Sequence, residues 1–287
     1  MIPASFDYFA PKSVTEAVNL LQQHGEDAKI LAGGHSLLPA MKLRLAQPTT
    51  LIDISTIAEL KGISSGSGLT IGAGTTYHTI ATSADVLKHC AVLAECANQI
   101  GDIQVRNRGT IGGAIAHADP AADLPAVVLA LNATVTVQGL NGSRDISADE
   151  LFVSIFTTAI EPSEILTKIT VPVLGAGEGA AYAKLRHPAS RYAIVGVAAY
   201  VKLDGGKVVA ARVAVTGAGP MAVRQPATEA ALIGSDGGDA AVAAAAEAAG
   251  EGNEYLGDIH ASAEYRQAMV KVYAKRAISD ALVRARA

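Results

Sequence analysis

Apolar positions near the amino terminus alternate between helical spacing and short continuous runs. A capping-box sequence at 13–16 precedes apolar residues at helical spacing that end near Gly25. Apolar runs at 29–32 and 50–54 predict two strands, and a helix is predicted between them, from Ser36 to about Leu45. A strand, a helix and a strand in this order indicate a small βαβ unit with parallel pairing.

Beyond residue 55 the pattern indicates an antiparallel sheet with covering helices. Residues 84–100 have helical spacing and include both cysteines, whereas the glycine-rich segment 108–123 has no regular period and predicts a loop. Residues 127–131 form a short apolar segment. Strands are predicted at 68–73, 133–138 and 165–171, and the sequence Gly139-Leu-Asn-Gly142 predicts a turn.

The stretch Leu174-Gly-Ala-Gly-Glu-Gly179 predicts a linker between two domains. After it, strands are predicted at 181–185, 193–203 and 207–218, and helices at 227–233, 239–249 and 262–287. The turn Asp204-Gly-Gly206 predicts that the last two strands form a hairpin.

The predicted fold is therefore α+β with two domains, 1–176 and 177–287. We expect the first domain to contain a small βαβ subdomain of about 1–55 and a larger α+β subdomain of about 56–176 with an antiparallel sheet. The second domain is expected to contain a three-stranded antiparallel sheet with a helical bundle.

Composition excludes several classes of protein. Half of the residues are apolar and 17% are charged, which is not the composition of a disordered chain. The 23 basic and 27 acidic residues leave a net charge of −4, so nothing favours nucleic acid or an anionic membrane surface. No apolar run reaches the roughly 18 residues of a membrane span, and the amino terminus does not have a signal-peptide pattern. These features predict a cytoplasmic protein with no membrane span.

Two cysteines are too few for an iron–sulfur cluster, which needs about four thiolates, and their spacing does not suit a zinc site. We interpret Cys90 and Cys96 as small apolar helix residues in a reducing compartment. The seven histidines are scattered, and neither a GxSxG nor an HExxH motif is present. No catalytic residue and no metal ligand is therefore predicted in this chain.

Two glycine-rich turns are the strongest candidates for a binding site. They are Ala32-Gly-Gly-His-Ser36, between a predicted strand and a predicted helix, and Thr110-Ile-Gly-Gly-Ala114. Paired glycines let successive N–H groups converge on an anion, and a helix N-terminus adds its dipole. Neither turn has the P-loop or the GxGxxG pattern. Together they suit a diphosphate held from two sides, although such a turn also joins a strand to a helix with nothing bound.

Two nearby side chains have alternative roles. Ser36 either caps the predicted helix or binds a phosphate oxygen, and Asp123 either caps the following helix or accepts hydrogen bonds from ligand hydroxyls. We expect a bulky side chain at Gly33 or Gly113 to block the ligand while the fold stays largely intact.

The sequence Leu31-Ala-Gly-Gly-His-Ser36, together with Thr110-Ile-Gly-Gly113, resembles the flavin-binding subunit of molybdenum hydroxylases. The His35-Ser36 and Arg191-Tyr192 pairs are most similar to the medium subunit of the aerobic carbon monoxide dehydrogenase group. The resemblance covers nearly the whole chain and includes the segments 6–8, 41–45, 71–73, 101–102, 105–107, 182–184 and 191–195.

This resemblance implies non-covalent FAD with its diphosphate between the two turns. Asp123 is then expected to bond ribose or ribityl hydroxyls, Leu166 and Lys184 to approach the flavin, and Tyr192 to lie over one ring face. The residues expected at the diphosphate and the neighbouring ribityl are Ala32, Gly33, Gly34, His35, Ser36, Thr110, Ile111, Gly112, Gly113 and Ala114.

The resemblance also implies a relay. A molybdenum large subunit oxidises the substrate, an iron–sulfur small subunit with two [2Fe–2S] clusters passes single electrons, and FAD in this chain delivers pairs to a quinone or another respiratory acceptor. A dimer of heterotrimers is implied, with peripheral contact at the inner face of the cytoplasmic membrane. The alternatives are the flavin subunit of another molybdenum hydroxylase (acting on an aldehyde, a purine or an aromatic acid), a stand-alone flavin oxidase, and a non-enzymatic diphosphate-binding module.

Overall fold

The amino-terminal subdomain is a three-stranded parallel sheet with helices. A computed structural model describes residues 2–287. The predicted βαβ unit is present, but Asp7–Phe9 adds a strand that the short apolar pattern did not predict, so the strand order is β1-β3-β2. The elements are β1 (Asp7–Phe9), α1 (Val14–His24), β2 (Ala28–Leu31), α2 (Leu37–Lys42) and β3 (Thr50–Asp53), with a 3₁₀ turn at Gly25–Asp27.

The capping sequence begins α1 as predicted. The Ser13 hydroxyl accepts a hydrogen bond from the Glu16 N–H at 3.1 Å. The Glu16 carboxylate accepts one from the Lys12 N–H at 2.7 Å, one residue earlier than in the usual capping box. The first bond satisfies an N–H group that the first helical turn leaves without a partner, and the second ties the residue before the cap to that turn.

The second subdomain contains a five-stranded antiparallel sheet in the order β4-β5-β10-β6-β7, flanked by helices. The strands of the subdomain are β4 (Ile63–Ser65), β5 (Leu69–Gly72), β6 (Thr134–Gly139), β7 (Gly142–Ser147), β8 (Phe152–Ser154), β9 (Thr157–Thr158) and β10 (Ile165–Val171). Strands β8 and β9 pair with each other in a separate two-stranded sheet. The helices of the subdomain are α3 (Tyr77–Thr82), α4 (Ala84–His89), α5 (Ala91–Gln99), α6 (Ile103–Arg106), α7 (Ile111–His117), α8 (Leu124–Ala130) and α9 (Ala148–Leu151), with a 3₁₀ turn at Ala58–Leu60.

Two predictions for this subdomain were wrong. The predicted helix over 84–100 is two helices, because Cys90 has φ −159° and ψ 63°, which ends α4. The predicted loop over 108–123 contains α7, which Thr110 caps through a hydrogen bond from the Gly113 N–H. Glycine disfavours a helix interior, but both glycines lie in the first turn of α7, and the close contact of Gly112 with Ala73 leaves no room for a side chain there.

The carboxy-terminal domain has a four-stranded antiparallel sheet in the order β11-β12-β13-β14. Three long strands were predicted, and the fourth is only two residues long. The elements are β11 (Glu178–Arg186), β12 (Ala193–Asp204), β13 (Lys207–Thr216), β14 (Val223–Arg224), α10 (Pro226–Leu232), α11 (Asp239–Glu247) and α12 (Ala263–Arg286). The predicted β12–β13 hairpin is present, and α12 packs across β11 and β12.

This sheet is buried on both faces. Alternate strand residues point to opposite sides, so Ala198 packs with the core of the second subdomain while Val197 and Ala199 pack against α10–α12. Small residues on the inner face, including Ala180 and Ala214, let the two domains approach closely. The contact places the ends of β11 and β12 next to the glycine-rich segment at 108–123.

Candidate functional site

The first Gly–Gly turn connects β2 to the short helix α2. Gly34 has φ +77°, and a left-handed residue is what allows neighbouring N–H groups to converge. Within residues 2–287 the N–H groups of Gly33, Gly34, His35 and Ser36 make no backbone hydrogen bond. Ser36 has no side-chain bond that caps α2, so of its two predicted roles the helix cap is wrong. The turn therefore presents four N–H donors and a hydroxyl.

The second Gly–Gly turn begins α7, and its N–H groups are already engaged. The Ile111 N–H donates to the Thr75 carbonyl at 3.1 Å, and the Gly112 N–H donates to the Ala73 carbonyl at 2.9 Å. The Gly113 N–H donates to Thr110 Oγ1 at 3.1 Å. A Cβ on Gly112 would crowd Ala73, which explains the glycine there, whereas a Cβ on Gly113 would meet only Thr110 Oγ1.

The backbones of the two turns touch each other. A Cβ on Gly33 would overlap the carbonyl oxygen of Arg108 and lie 2.8 Å from its carbonyl carbon. A Cβ on Gly109 would overlap the buried ring of Tyr77. Glycine at 33 is thus required for packing between the subdomains. The expectation that a side chain at Gly33 leaves the fold largely intact is corrected by this contact.

A pocket of about 170 Å³ lies between the two turns and the carboxy-terminal domain. Its wall contains residues of the first turn, the α7 region and the loop between β11 and β12. The lining residues are His35, Ser36, Tyr77, Ile100, Gly101, Val105, Gly109, Ala114, His117, Asp119, Ala122, Asp123, Leu124, Ser190, Arg191 and Tyr192.

Asp123 connects the pocket wall to the carboxy-terminal sheet. Lys184 Nζ donates to Asp123 Oδ2 at 2.8 Å, and the Tyr182 hydroxyl donates to Asp123 Oδ1. Burial raises the pKa of the Asp123 carboxyl, and the Lys184 ammonium opposes that rise. Burial also raises the pKa of Tyr182, so its phenol stays protonated as the donor. Asp123 makes no capping bond to α8, so the cap is the wrong one of its two predicted roles.

Further interdomain bonds hold the segment before Asp123. The Thr216 hydroxyl lies within hydrogen-bond distance of the carbonyls of Pro120, at 3.0 Å, and Ala122, at 2.7 Å, and its one proton is donated to this pair of acceptors. The Gly217 N–H also donates to the Pro120 carbonyl, at 2.8 Å. Residues on β11 and β13 therefore fix one wall of a pocket whose other wall belongs to the first domain.

The loop at 187–192 closes the pocket from the carboxy-terminal side. Arg191 has φ +60° and its guanidinium donates to the Gly101 carbonyl at 3.1 Å. Tyr192 is 43% exposed. Burial, followed by the Asp119 carboxylate, raises the pKa of the Tyr192 phenol, while the nearby Ser36 side chain opposes the rise. Tyr192 and Ser36, predicted from distant parts of the sequence, thus meet at one pocket.

The structure brings some of the predicted residues together and separates others. His35, Ser36, Ala114, Asp123 and Tyr192 line the pocket, and the predicted Ala32, Gly33 and Gly34 belong to the turn that forms its edge. Thr110 and Gly113 form the start of α7. Ile111 is buried in the core, Gly112 packs on Ala73, Leu166 is buried in β10, and Lys184 contacts Asp123 behind the wall.

Sequence reasoning missed several lining residues. Tyr77 and His117 carry no motif, because a lone aromatic residue or histidine on a helix is ordinarily a packing residue. Gly101 and Arg191 were noted only as parts of the resemblance. The positive φ of Arg191 comes from the loop geometry and had no signal in the sequence.

Comparison with known proteins decides the family. Residues 4–174 match the model for the FAD binding domain in molybdopterin dehydrogenase, and residues 180–281 match that for the CO dehydrogenase flavoprotein C-terminal domain. The chain belongs to this flavoprotein family. The predicted resemblance, the FAD cofactor and the oxidoreductase class are confirmed.

Individual members of the flavoprotein family match over the full length. The chain is 45% identical to the carbon monoxide dehydrogenase medium chain of Hydrogenophaga pseudoflava, over 99% of both chains. It is 43% identical to the 6-hydroxypseudooxynicotine dehydrogenase complex subunit alpha of Paenarthrobacter nicotinovorans, over 100% of this chain and 97% of that relative. A solved structure of the Hydrogenophaga pseudoflava carbon monoxide dehydrogenase lacking the Mo-pyranopterin moiety matches with TM-score 0.96 and 47% identity, over 99% of both chains.

Proposed function

We propose that this chain is the medium subunit of a molybdenum-containing carbon monoxide dehydrogenase. An iron–sulfur small subunit with two [2Fe–2S] clusters passes electrons to it, and a quinone or another respiratory acceptor receives them. Bound FAD supplies the step from single electrons to an electron pair. The pocket shared by the first turn, the α7 region and the loop at 187–192 supports the FAD site, and the 45% identity to a carbon monoxide dehydrogenase medium chain is the observation that carries the proposal.

The residues of the pocket fit a dinucleotide. The N–H groups of 33–36 are placed to donate to the diphosphate, and the Thr110 hydroxyl keeps its own proton for a phosphate oxygen. Asp123 accepts from Lys184 and Tyr182, and the remaining lone pairs of its carboxylate suit ribose or ribityl hydroxyls. The pocket is smaller than the roughly 300–1,000 Å³ of ordinary ligand sites, so it suits part of FAD.

The other predicted residues shape this site from outside the pocket. Ile111 and Gly112 anchor α7 through Ala73 and Thr75, and Gly113 leaves its outer side open. Leu166 precedes Thr167, whose carbonyl accepts from the Ala73 N–H at 2.9 Å, so β10 supports the second turn. We propose that Leu166, on β10, and Lys184, on β11 behind Asp123, approach the flavin and that Tyr192 lies over one ring face.

His35 lines the pocket beside the N–H groups that we assign to the diphosphate. A side chain at that place is suited to donate a hydrogen bond and not to form a covalent link to the flavin ring. We therefore propose non-covalent FAD.

We also propose the division into domains 1–176 and 177–287. The proposed assembly is a dimer of heterotrimers with the small and large subunits, in the cytoplasm and in peripheral contact with the inner face of the membrane. Among residues 2–287 no helix is both long and apolar enough to cross a bilayer.

The flavin subunit of another molybdenum hydroxylase is a second candidate, because the relative from Paenarthrobacter nicotinovorans is 43% identical along the whole chain. The complex purified from its native source distinguishes the two. We expect FAD, molybdenum and copper, with carbon-monoxide-dependent reduction of a quinone. Molybdenum without copper, with oxidation of an aldehyde, purine or aromatic substrate, would replace the first proposal. A complex without FAD would contradict both.

A further inference from the structure

The loop at 187–192 is closed by the backbone and by one imidazole. The backbone N–H of His187 donates to the Tyr192 carbonyl at 2.8 Å, and the backbone N–H of Arg191 donates to the His187 carbonyl at 2.9 Å. His187 Nδ1 accepts hydrogen bonds from the N–H groups of Ala189, at 3.2 Å, and Ser190, at 3.1 Å. The ring therefore holds the loop that carries Arg191 and Tyr192 into the flavin pocket.

These contacts determine where the His187 proton lies. An imidazole nitrogen that accepts from two N–H groups carries no proton, so the neutral ring bears its proton on Nε2. Nε2 lies 3.3 Å from His260 Nδ1, and the ring centroids are 4.2 Å apart. Nε2 then donates to His260 Nδ1, and the proton of neutral His260 lies on its own Nε2.

A proton added to either ring breaks this chain. Protonation of His187 places an N–H on Nδ1, opposite two backbone N–H donors. Protonation of His260 places an N–H on its Nδ1, opposite the donating Nε2 of His187. The arrangement seen here requires both rings to be neutral.

The charged groups near the pair do not remove this requirement. Asp258 Oδ1 accepts a hydrogen bond from the backbone N–H of His260 at 2.8 Å. The other carboxylate oxygen of Asp258 pairs with Arg266 of α12 at 2.6 Å. The Asp258 charge is therefore already paired with Arg266. On the loop itself, the Arg191 guanidinium is directed to Gly101. Arg186, the last residue of β11, is the charged residue next to His187 in the chain.

We propose that His187 and His260 form a proton-sensitive latch that positions Arg191 and Tyr192 at the flavin pocket. The latch is closed when both rings are neutral, and acid opens it because a proton on either ring breaks these contacts. Opening withdraws one wall of the pocket and speeds the loss of FAD. This inference rests on FAD binding at that pocket.

The test measures the rate of FAD release from the assembled native complex between pH 8 and pH 5.5. We expect wild type to release FAD about tenfold faster at pH 5.5 than at pH 8, because the loss of one or two hydrogen bonds from backbone N–H groups has an effect of about this size. In His187→Asn the side-chain amide oxygen takes the place of Nδ1 as the acceptor, because asparagine side chains accept hydrogen bonds from backbone N–H groups two residues further along the chain. Unlike imidazole, the amide does not gain a proton in this pH range. This variant should match wild type at pH 8 and lose most of the acid acceleration.

Two further variants complete the test. His187→Ala should release FAD faster at every pH, because the loop loses its acceptor. His78→Asn, at an exposed histidine on α3, should behave as wild type. Acid acceleration that persists in His187→Asn, or a wild type without it, would overturn the latch. FAD content at pH 8 reports separately on the flavin site, so failure there contradicts the proposed function and not the latch.

Discussion

The two Gly–Gly turns contain the same dipeptide and differ in what their backbones do. In the first turn the N–H groups of 33–36 have no backbone acceptor within the described chain, and Gly34 is left-handed. In the second turn the Ile111, Gly112 and Gly113 N–H groups all donate to the protein itself. The first turn is therefore a donor surface, and the second is a helix start anchored in the core. A Gly–Gly motif by itself does not distinguish these roles.

The buried Asp123 follows the second turn in the chain. Removing its contact with Lys184 should have the largest effect on stability. Asp123→Ala leaves the fully buried Lys184 ammonium without its partner. We expect the free energy of unfolding to fall by about 3–5 kcal/mol, as for other buried pairs that lose one member. Urea unfolding of the variant measures this, with Asp7→Ala, at an exposed carboxylate far from the pocket in the chain, as control. A loss below 1 kcal/mol would show that the pair does not anchor the wall.

Gly33 tests whether the two turns depend on their contact. In Gly33→Ala the new methyl overlaps the Arg108 carbonyl, and overpacking of this kind costs about 1–3 kcal/mol. Both stability and FAD content should fall. Gly66→Ala is the control, because a Cβ there has no neighbour within 4 Å. Gly113→Ala should lose less, because its Cβ would meet only Thr110 Oγ1, at 2.9 Å, and a disturbed cap costs about 1 kcal/mol at most. Equal losses at Gly33 and Gly113 would remove the distinction between the turns.

The hydroxyls of Ser36 and Thr110, at the starts of α2 and α7, test the comparison between the two turns further. Thr110→Ala removes the α7 cap and should cost about 1 kcal/mol of unfolding free energy. Ser36→Ala removes no cap and should leave stability within about 0.5 kcal/mol, while it weakens FAD binding. Thermal unfolding and FAD titration of the assembled complex measure both effects. A stability loss in Ser36→Ala equal to that in Thr110→Ala would contradict the comparison.

The smallest effect is expected at His35. His35→Thr keeps a hydrogen-bond donor beside the N–H groups of the first turn, so the complex should retain most of its FAD. Acid precipitation of the wild-type complex should release the yellow colour to the supernatant. Colour that stays in the pellet would show a covalent flavin and would contradict our assignment of His35 to the diphosphate.

Much of this architecture could be predicted from local patterns. The βαβ unit, the β12–β13 hairpin, the Ser13 cap and the final helix follow from spacing, turn residues and capping residues that act within a few positions of each other. The resemblance that led to FAD also depends on short segments, which is why it could be recognised before any contact was known.

The tertiary structure alone decided how these segments work together. Asp123 pairs with Lys184 across 61 residues, and Thr216 reaches Ala122 across 94. The Gly112 N–H is satisfied by Ala73, a partner in another element. No periodicity carries such information, because a hydrogen bond between distant segments depends on how sheets and helices pack. The local sequence therefore determined where the glycines lie, and the packing determined which of them leave N–H groups free for a ligand.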